Sequence, residues 1–168
     1  LRRDILNVSL VGMPSSGKTT LGRALAAALG RPFVDLDEEI VRADGRSIPE
    51  IFAAEGEEGF RARETEQVRR FGRESGLLLS CGGGVVKRPE NVRALRQNGL
   101  VLFVDRPLEA LAVGGGRPLS SSPEALRAME AERRPLYEKA ADAVIRNDGT
   151  AEDAAARALQ ALNELFAQ

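Results

Sequence analysis

The chain of 168 residues is 43% hydrophobic and 29% charged, with 24 basic and 25 acidic side chains and a net charge of −1. That suits one α/β domain with a real core, and it leaves no basic excess for a nucleic-acid partner. No stretch approaches the roughly 20 apolar residues of a membrane span, no signal-peptide pattern appears, and histidine is absent, so imidazole chemistry is excluded. The single Cys81 rules out an internal disulfide and fits a reducing cytoplasm. The opening Leu1-Arg2-Arg3-Asp4 carries no methionine and reads as a linker or a cut from a longer polypeptide.

In chain order, a first apolar run at 6–11 has the β-branched content of a buried strand. Gly12-Met13-Pro14-Ser15-Ser16-Gly17-Lys18-Thr19 follows, a complete G-x-x-x-x-G-K-[ST] phosphate loop. Behind it the segment from Thr20 to Leu29 repeats leucine every four residues and stops at Gly30. Strand, glycine loop and helix form the context in which backbone N–H groups and a helix dipole converge on phosphate oxygens. Lys18 supplies a mobile cation for the β- and γ-phosphates, and the Thr19 hydroxyl is placed for Mg²⁺. The chain is therefore expected to bind a nucleoside triphosphate.

Further apolar runs at 32–36, 77–81, 100–104 and 143–146 read as strands, separated by helical stretches. This alternation predicts an α/β fold with a five-stranded parallel sheet between two helical layers. Ser47, Pro49 and Glu50 carry the cap, first-turn proline and capping-box signals of a helix start. A helix from about 57 to 75 is charge-rich, and most of those charges are expected on a solvated face. Residues 113–123 are rich in glycine and serine around Arg117, which suits either a flap closing over a phosphate site or an ordinary mobile loop. Thr150 and Asp153 open a last helix reaching about 166.

Asp35 and Asp37 stand two apart at the end of the second strand run, so both carboxylates can project into the cleft beside the phosphate loop. One can hold a Mg²⁺-bound water near Thr19, and the other can accept the proton of a substrate hydroxyl. The competing explanation is that Asp37-Glu38-Glu39 simply favour a helix N-terminus. Gly82-Gly83-Gly84 follow the third strand, where a ligand could approach the bare backbone or the chain could merely turn. Arg61 and Arg133 are surface residues in most contexts. Meeting in a cleft, they would select an anionic substrate.

Taken together, these segments resemble the shikimate kinase family over nearly the whole length. The phosphate loop is followed by Phe33-Val34-Asp35-Leu36-Asp37, then by Gly45-Arg46-Ser47-Ile48-Pro49-Glu50-Ile51-Phe52, similar to the family's G-x-[ST]-I-x-E-I-F. Glu55-Gly56-Glu57-Glu58-Gly59-Phe60-Arg61 resembles E-G-E-x-x-F-R. Gly82-Gly83-Gly84, Arg117-Pro118-Leu119 and Arg133-Arg134-Pro135-Leu136-Tyr137 complete the set.

The resemblance implies a small P-loop kinase of the nucleoside monophosphate kinase-like fold, spanning 1–168 as one domain. It implies a substrate-binding region at about 36–62 and a short lid at about 112–123. Its reaction would move the γ-phosphate of ATP to the 3-hydroxyl of shikimate. Pro14, Ser15, Ser16, Gly17, Lys18, Thr19 and Thr20 would hold the nucleotide, with Thr19 and Asp35 placing Mg²⁺. Asp37, Arg61, Gly82, Gly83, Gly84 and Arg133 would bind shikimate, Asp37 being the natural base. Arg117 would enter with the lid and neutralise charge on the transferred group. The domain would act in the cytoplasm as a monomer, or as one domain fused to another enzyme of the pathway. A gluconate or nucleoside monophosphate kinase, or a non-catalytic nucleotide-binding domain of a multienzyme chain, are the alternatives.

Departures from the family pattern concern the nucleotide. Ser15 stands where a glycine is usual, and a positive φ there would cost serine about 1 kcal/mol. No basic residue precedes Arg117 to stack on adenine, Ser120-Ser121-Ser122 replaces a commoner apolar position, and Arg146-Asn147-Asp148-Gly149-Thr150 lacks a proline.

Overall fold

The structure, a computed structural model, describes residues 4–111 and 122–168. Five strands alternate with six helices: β1 (Asn7–Val11), α1 (Lys18–Leu29), β2 (Phe33–Asp35), α2 (Leu36–Asp44), α3 (Ile48–Gly72), β3 (Leu78–Ser80), α4 (Pro89–Gln97), β4 (Gly99–Asp105), α5 (Pro123–Ala140), β5 (Ala143–Arg146) and α6 (Ala151–Phe166). The strands form one parallel sheet in the order β2-β3-β1-β4-β5. β1 is central: the chain runs from it to β2 on one side and crosses from β3 to β4 on the other, so the carboxyl end of β1 opens a crevice at the topological switch point.

Alternation along the strands sorts the core into two layers. Leu102 and Val104 of β4 join Val8 and Leu10 of β1 against Leu21 and Leu25 of α1 and Ala154, Ala158 and Leu162 of α6. Val101 and Phe103 face the other way, onto Val68 and Phe71 of α3, Leu95 of α4 and Tyr137 of α5. A third, small cluster of Ile40, Ile51 and Phe60 gives α2 and the front of α3 a core of their own.

Helix ends follow the sequence signals. Ser47 and Glu50 form a reciprocal capping box, Thr150 caps α6, and Gly30 ends α1 in the left-handed conformation. The predicted helix starts near 47 and near 57 are one run, kinked at Gly56, whose φ of 70° and ψ of −173° leave the helical region. This helix ends at Gly72, short of the predicted 75. Most of its charges do lie on a solvated face, Glu58, Glu66, Arg69 and Arg70 among them; Arg61 and Glu64 are the exceptions and are buried, together with the polar Thr65 and Gln67.

Candidate active site

A cavity of about 680 Å³ lies at the carboxyl ends of β1, β2 and β3. Every expected binding residue from Pro14 to Thr20 lines it, as do Asp35, Asp37, Arg61, Gly82, Gly83, Gly84 and Arg133. Arg117 and most of the expected lid lie outside the described residues. At the carboxyl end of the expected lid, Ser122 and Pro123 are the N-cap and first residue of α5.

At the phosphate end, α1 begins at Lys18, two residues earlier than expected. Its N-cap is Gly17 at φ 89°, with no side-chain cap and no acidic residue in the first turn. The first-turn N–H groups therefore have neither an intrahelical acceptor nor a capping side chain, which is the arrangement that binds phosphate. Lys18 is only 8% exposed and donates to the Gly12 and Met13 carbonyls, each at 2.8 Å, and to Ser16 Oγ at 3.3 Å. The expected mobile cation is thus folded back on its own loop and must exchange these bonds to reach a phosphate. Ser15 adopts φ 65°, the single positive φ outside glycine among the described residues. The strain anticipated from its sequence position is present.

Asp35 and Asp37 do share the cavity, but not through strand alternation. β2 ends at Asp35, which caps α2 by accepting from the N–H groups of Asp37 and Glu38 at 3.0 and 3.3 Å. Asp37 lies in the first turn of that helix. The cap turn, not the pleat, brings the two carboxylates together, and the helix-start explanation of this acidic run holds as well.

The far end of the cavity is built on buried charge. Arg61 and Arg133 are 5% and 3% exposed. Arg61 Nη1 donates to Glu64 Oε1 at 2.8 Å, and its Nε to Glu57 Oε2 at 3.2 Å. Burial pushes the Glu64 carboxyl up to about 7, against the pull of Arg61 and helped by the neighbouring Asp37. One wall is apolar, with Ile48, Phe52 and Phe60, the two phenylalanine rings lying 4.9 Å apart.

The three glycines after β3 are required by close approach. A Cβ on Gly82 would stand 2.7 Å from Asp37 Oδ1, and one on Gly83 would stand 2.8 Å from Pro14 Cδ and 3.1 Å from Arg133 Nη1. One on Gly84 would enter the Arg61 guanidinium. Each glycine thus makes room for a different functional side chain. Tyr137 Oη donates to the Gly83 carbonyl at 2.5 Å and fixes this segment from α5. Burial raises its hydroxyl to about 12, so it stays a donor.

Glu64, Glu57, Tyr137 and Asn147 had no role in the sequence reading. Glu64 hides in a charged run, yet it stands three residues after Arg61 and four before the buried Val68, on the inner face of the helix. Asn147, just after β5, donates to the Ser16 carbonyl at 2.7 Å and fills the space that a side chain on Gly17 would need. No sequence signal marks it.

Oxygen donors for a hard cation are present at the phosphate end, as the Thr19 hydroxyl and the Asp35 carboxylate. No cluster of three or more metal-ligating His, Cys, Asp or Glu side chains occurs among the described residues. The hydroxyl and carboxylate are hard oxygen donors of the kind that Mg²⁺ takes beside waters and phosphate oxygens. Burial pushes the Cys81 thiol far up, so it is no nucleophile. The cavity thus has cationic or N–H-donating groups at both ends and is also lined by the carboxylates of Asp35, Asp37 and Glu64, a layout suited to phosphoryl transfer without covalent catalysis.

The chain is similar to known proteins in sequence and in fold. The chain is 46% identical over 169 residues to a shikimate kinase of Symbiobacterium thermophilum, covering 95% of this chain and 97% of the relative. It is 42% identical to a shikimate kinase of Bordetella avium, over 83% of this chain and 70% of that one. Among solved structures, a shikimate kinase from Acinetobacter baumannii in complex with shikimate superposes with a TM-score of 0.92 at 38% identity, over 98% of this chain and 96% of that one. A gluconokinase from Sinorhizobium meliloti, at 17% identity and TM-score 0.62, covers 98% of this chain and 95% of its own length and shares the fold. The family model for shikimate kinase matches residues 14–163, which include Lys18, Asp37, Arg61 and Arg133, and the chain belongs to the shikimate kinase family.

Proposed function

We propose that this cavity moves the γ-phosphate of ATP to the 3-hydroxyl of shikimate, giving shikimate 3-phosphate and ADP. The observation that carries the residue assignments is the single cavity joining an uncapped phosphate loop to two buried arginines, with Asp37 among its lining residues.

In this reading the loop amides and Lys18 hold the triphosphate, with Ser15, Ser16, Gly17, Thr19 and Thr20 forming the cradle. Arg61 and Arg133 bind the shikimate carboxylate as a charge-assisted clamp, and the N–H groups of the Gly82–Gly84 segment add contacts. Asp37 binds ring hydroxyls and takes the proton of the attacking one. The hydroxyl oxygen bonds to the γ-phosphorus as the bond to the β,γ-bridging oxygen breaks, and ADP leaves with that electron pair. Thr19 and Asp35 would hold Mg²⁺, whose charge offsets that of the phosphate oxygens. Arg117 is assigned to the transferred phosphoryl group by its match to the family's R-P-L motif.

No described helix is long and apolar enough to cross a membrane. The free, buried Cys81 supports a reducing cytoplasm as the working compartment, and core layers on both faces of one parallel sheet support a single domain, whose proposed working form is a monomer. The test is ADP release from ATP and Mg²⁺ with shikimate, quinate, gluconate or AMP as acceptor. The reading requires turnover with shikimate well above the other three, and preference for another acceptor overturns it.

A further inference from the structure

Lys87 lies in the short turn Val85–Lys87 directly after the three glycines. Its Nζ is 2.6 Å from Glu57 Oε2, the same oxygen that accepts from Arg61 Nε. Arg61 is also paired with Glu64, so two carboxylates grip one guanidinium at the place assigned to an acidic substrate. With Arg133 also lining the cavity no cation is missing overall, but Glu57 draws on the very guanidinium that is to meet the acid unless another cation shares it. Lys87 is that second cation, sharing Glu57 from outside the cavity, since the cavity wall does not include it.

The geometry works in the same direction as the charge. Glu57 is the first residue past the Gly56 kink, where the helix ladder is interrupted and a side chain has least support from its own helix. Bonding to Lys87 ties it to the segment that carries Gly84, against which the Arg61 guanidinium packs. The lysine, the glutamate and the arginine therefore set where the guanidinium stands. The Lys87–Glu57 pair is about one-third exposed, so its effect is screened and modest.

We infer that Lys87 is a positioning and charge-balancing residue that sets affinity for the substrate carboxylate, acting through Glu57 on Arg61. This rests on the assignment of Arg61 as a carboxylate ligand. Steady-state kinetics with shikimate and with its methyl ester, which lacks the negative charge, separate the possibilities. Lys87→Met is expected to raise KM for shikimate by about fivefold, the scale of a partly exposed ion pair, while leaving KM for the ester and for ATP within about twofold. Lys87→Arg restores the wild-type value. In a Glu57→Gln background, Lys87→Met has no further effect on the acid-to-ester ratio.

Equal losses with acid and ester, or no loss with either, overturn the inference, as does an undiminished Lys87→Met effect in the Glu57→Gln background. Arg61→Ala identifies which assignment is at fault. If it spares the acid-to-ester ratio, the clamp assignment falls and the inference falls with it. If it collapses the ratio and Lys87→Met does not alter it, the role of Lys87 alone is refuted.

Discussion

Arg61 and Glu64, one turn apart on α3, meet at 2.8 Å with both side chains almost wholly buried beside the cavity. The pair orients a guanidinium that lines the cavity, and burial of the carboxylate couples it to a proton equilibrium. Removing one partner would strand the other in low dielectric, so an isosteric neutral replacement of Glu64 is the informative change.

The folded-state Glu64 carboxyl is raised to about 7 from its usual 4.5. Between those values the folded protein keeps a proton that the unfolded chain has released. Its contribution is therefore complete below about pH 4.5 and lost as pH climbs through 7, with a slope of at most roughly 1.4 kcal/mol per pH unit. Glu64→Gln should flatten this part of the stability profile. Urea unfolding at pH 5 and pH 8 for both proteins checks it. An unchanged difference between the two pH values in Glu64→Gln would contradict the assignment.

Gly84→Ala places a methyl group in the space of the Arg61 guanidinium. Two carboxylates hold that guanidinium, so it cannot swing aside freely. The variant should raise KM for shikimate by about tenfold or more, the loss of roughly one charge-assisted contact, and change KM for ATP little. Isothermal titration with shikimate alone gives the direct reading, and unimpaired affinity would refute the packing argument.

Ser15→Gly should stabilise the protein by about 1 kcal/mol, because serine at φ 65° lies in the left-handed region. For a chain of this size that is roughly a 2–4 °C rise in Tm by calorimetry. Ser15→Ala keeps the strain and should give no rise. A lower Tm for Ser15→Gly would show that the hydroxyl contributes more than the backbone strain costs.

Asn147→Ala removes the tie between the β5–α6 loop and the Ser16 carbonyl. The phosphate loop loses one of its supports while the shikimate end is untouched. KM for ATP should rise about three- to tenfold, the value of one neutral buried hydrogen bond, with KM for shikimate unchanged. Parallel increases in both constants would instead indicate general loosening of the sheet.

The elements were legible in the sequence because their signals are local. Apolar runs gave all five strands within a residue or two, and Ser47, Thr150 and Gly30 marked helix ends where the structure has them. The phosphate loop was legible for the same reason: its residues are contiguous and its geometry is set by its own backbone. Where contacts are long-range, the sequence was silent. Asn147 meets Ser16 across 131 positions, and Glu57 meets Lys87 across 30. Glu64 was masked because charge alone argues for solvent, and only the inward-facing period of α3 opposes that argument. Asp37 was placed in the cavity for the wrong geometric reason, since a strand end and a capped helix start both bring residues two apart together.

Asp37 is assigned to the chemical step, in the cavity that joins the phosphate loop to Arg61 and Arg133. Asp37→Asn keeps the side chain's size and its ability to contact hydroxyls but not its basicity. ADP release should then fall by about 10² to 10⁴, the range for loss of a general base, while titration still shows ATP and shikimate binding. Turnover close to wild type in Asp37→Asn, or loss of ATP affinity with turnover at saturation preserved, would contradict the account.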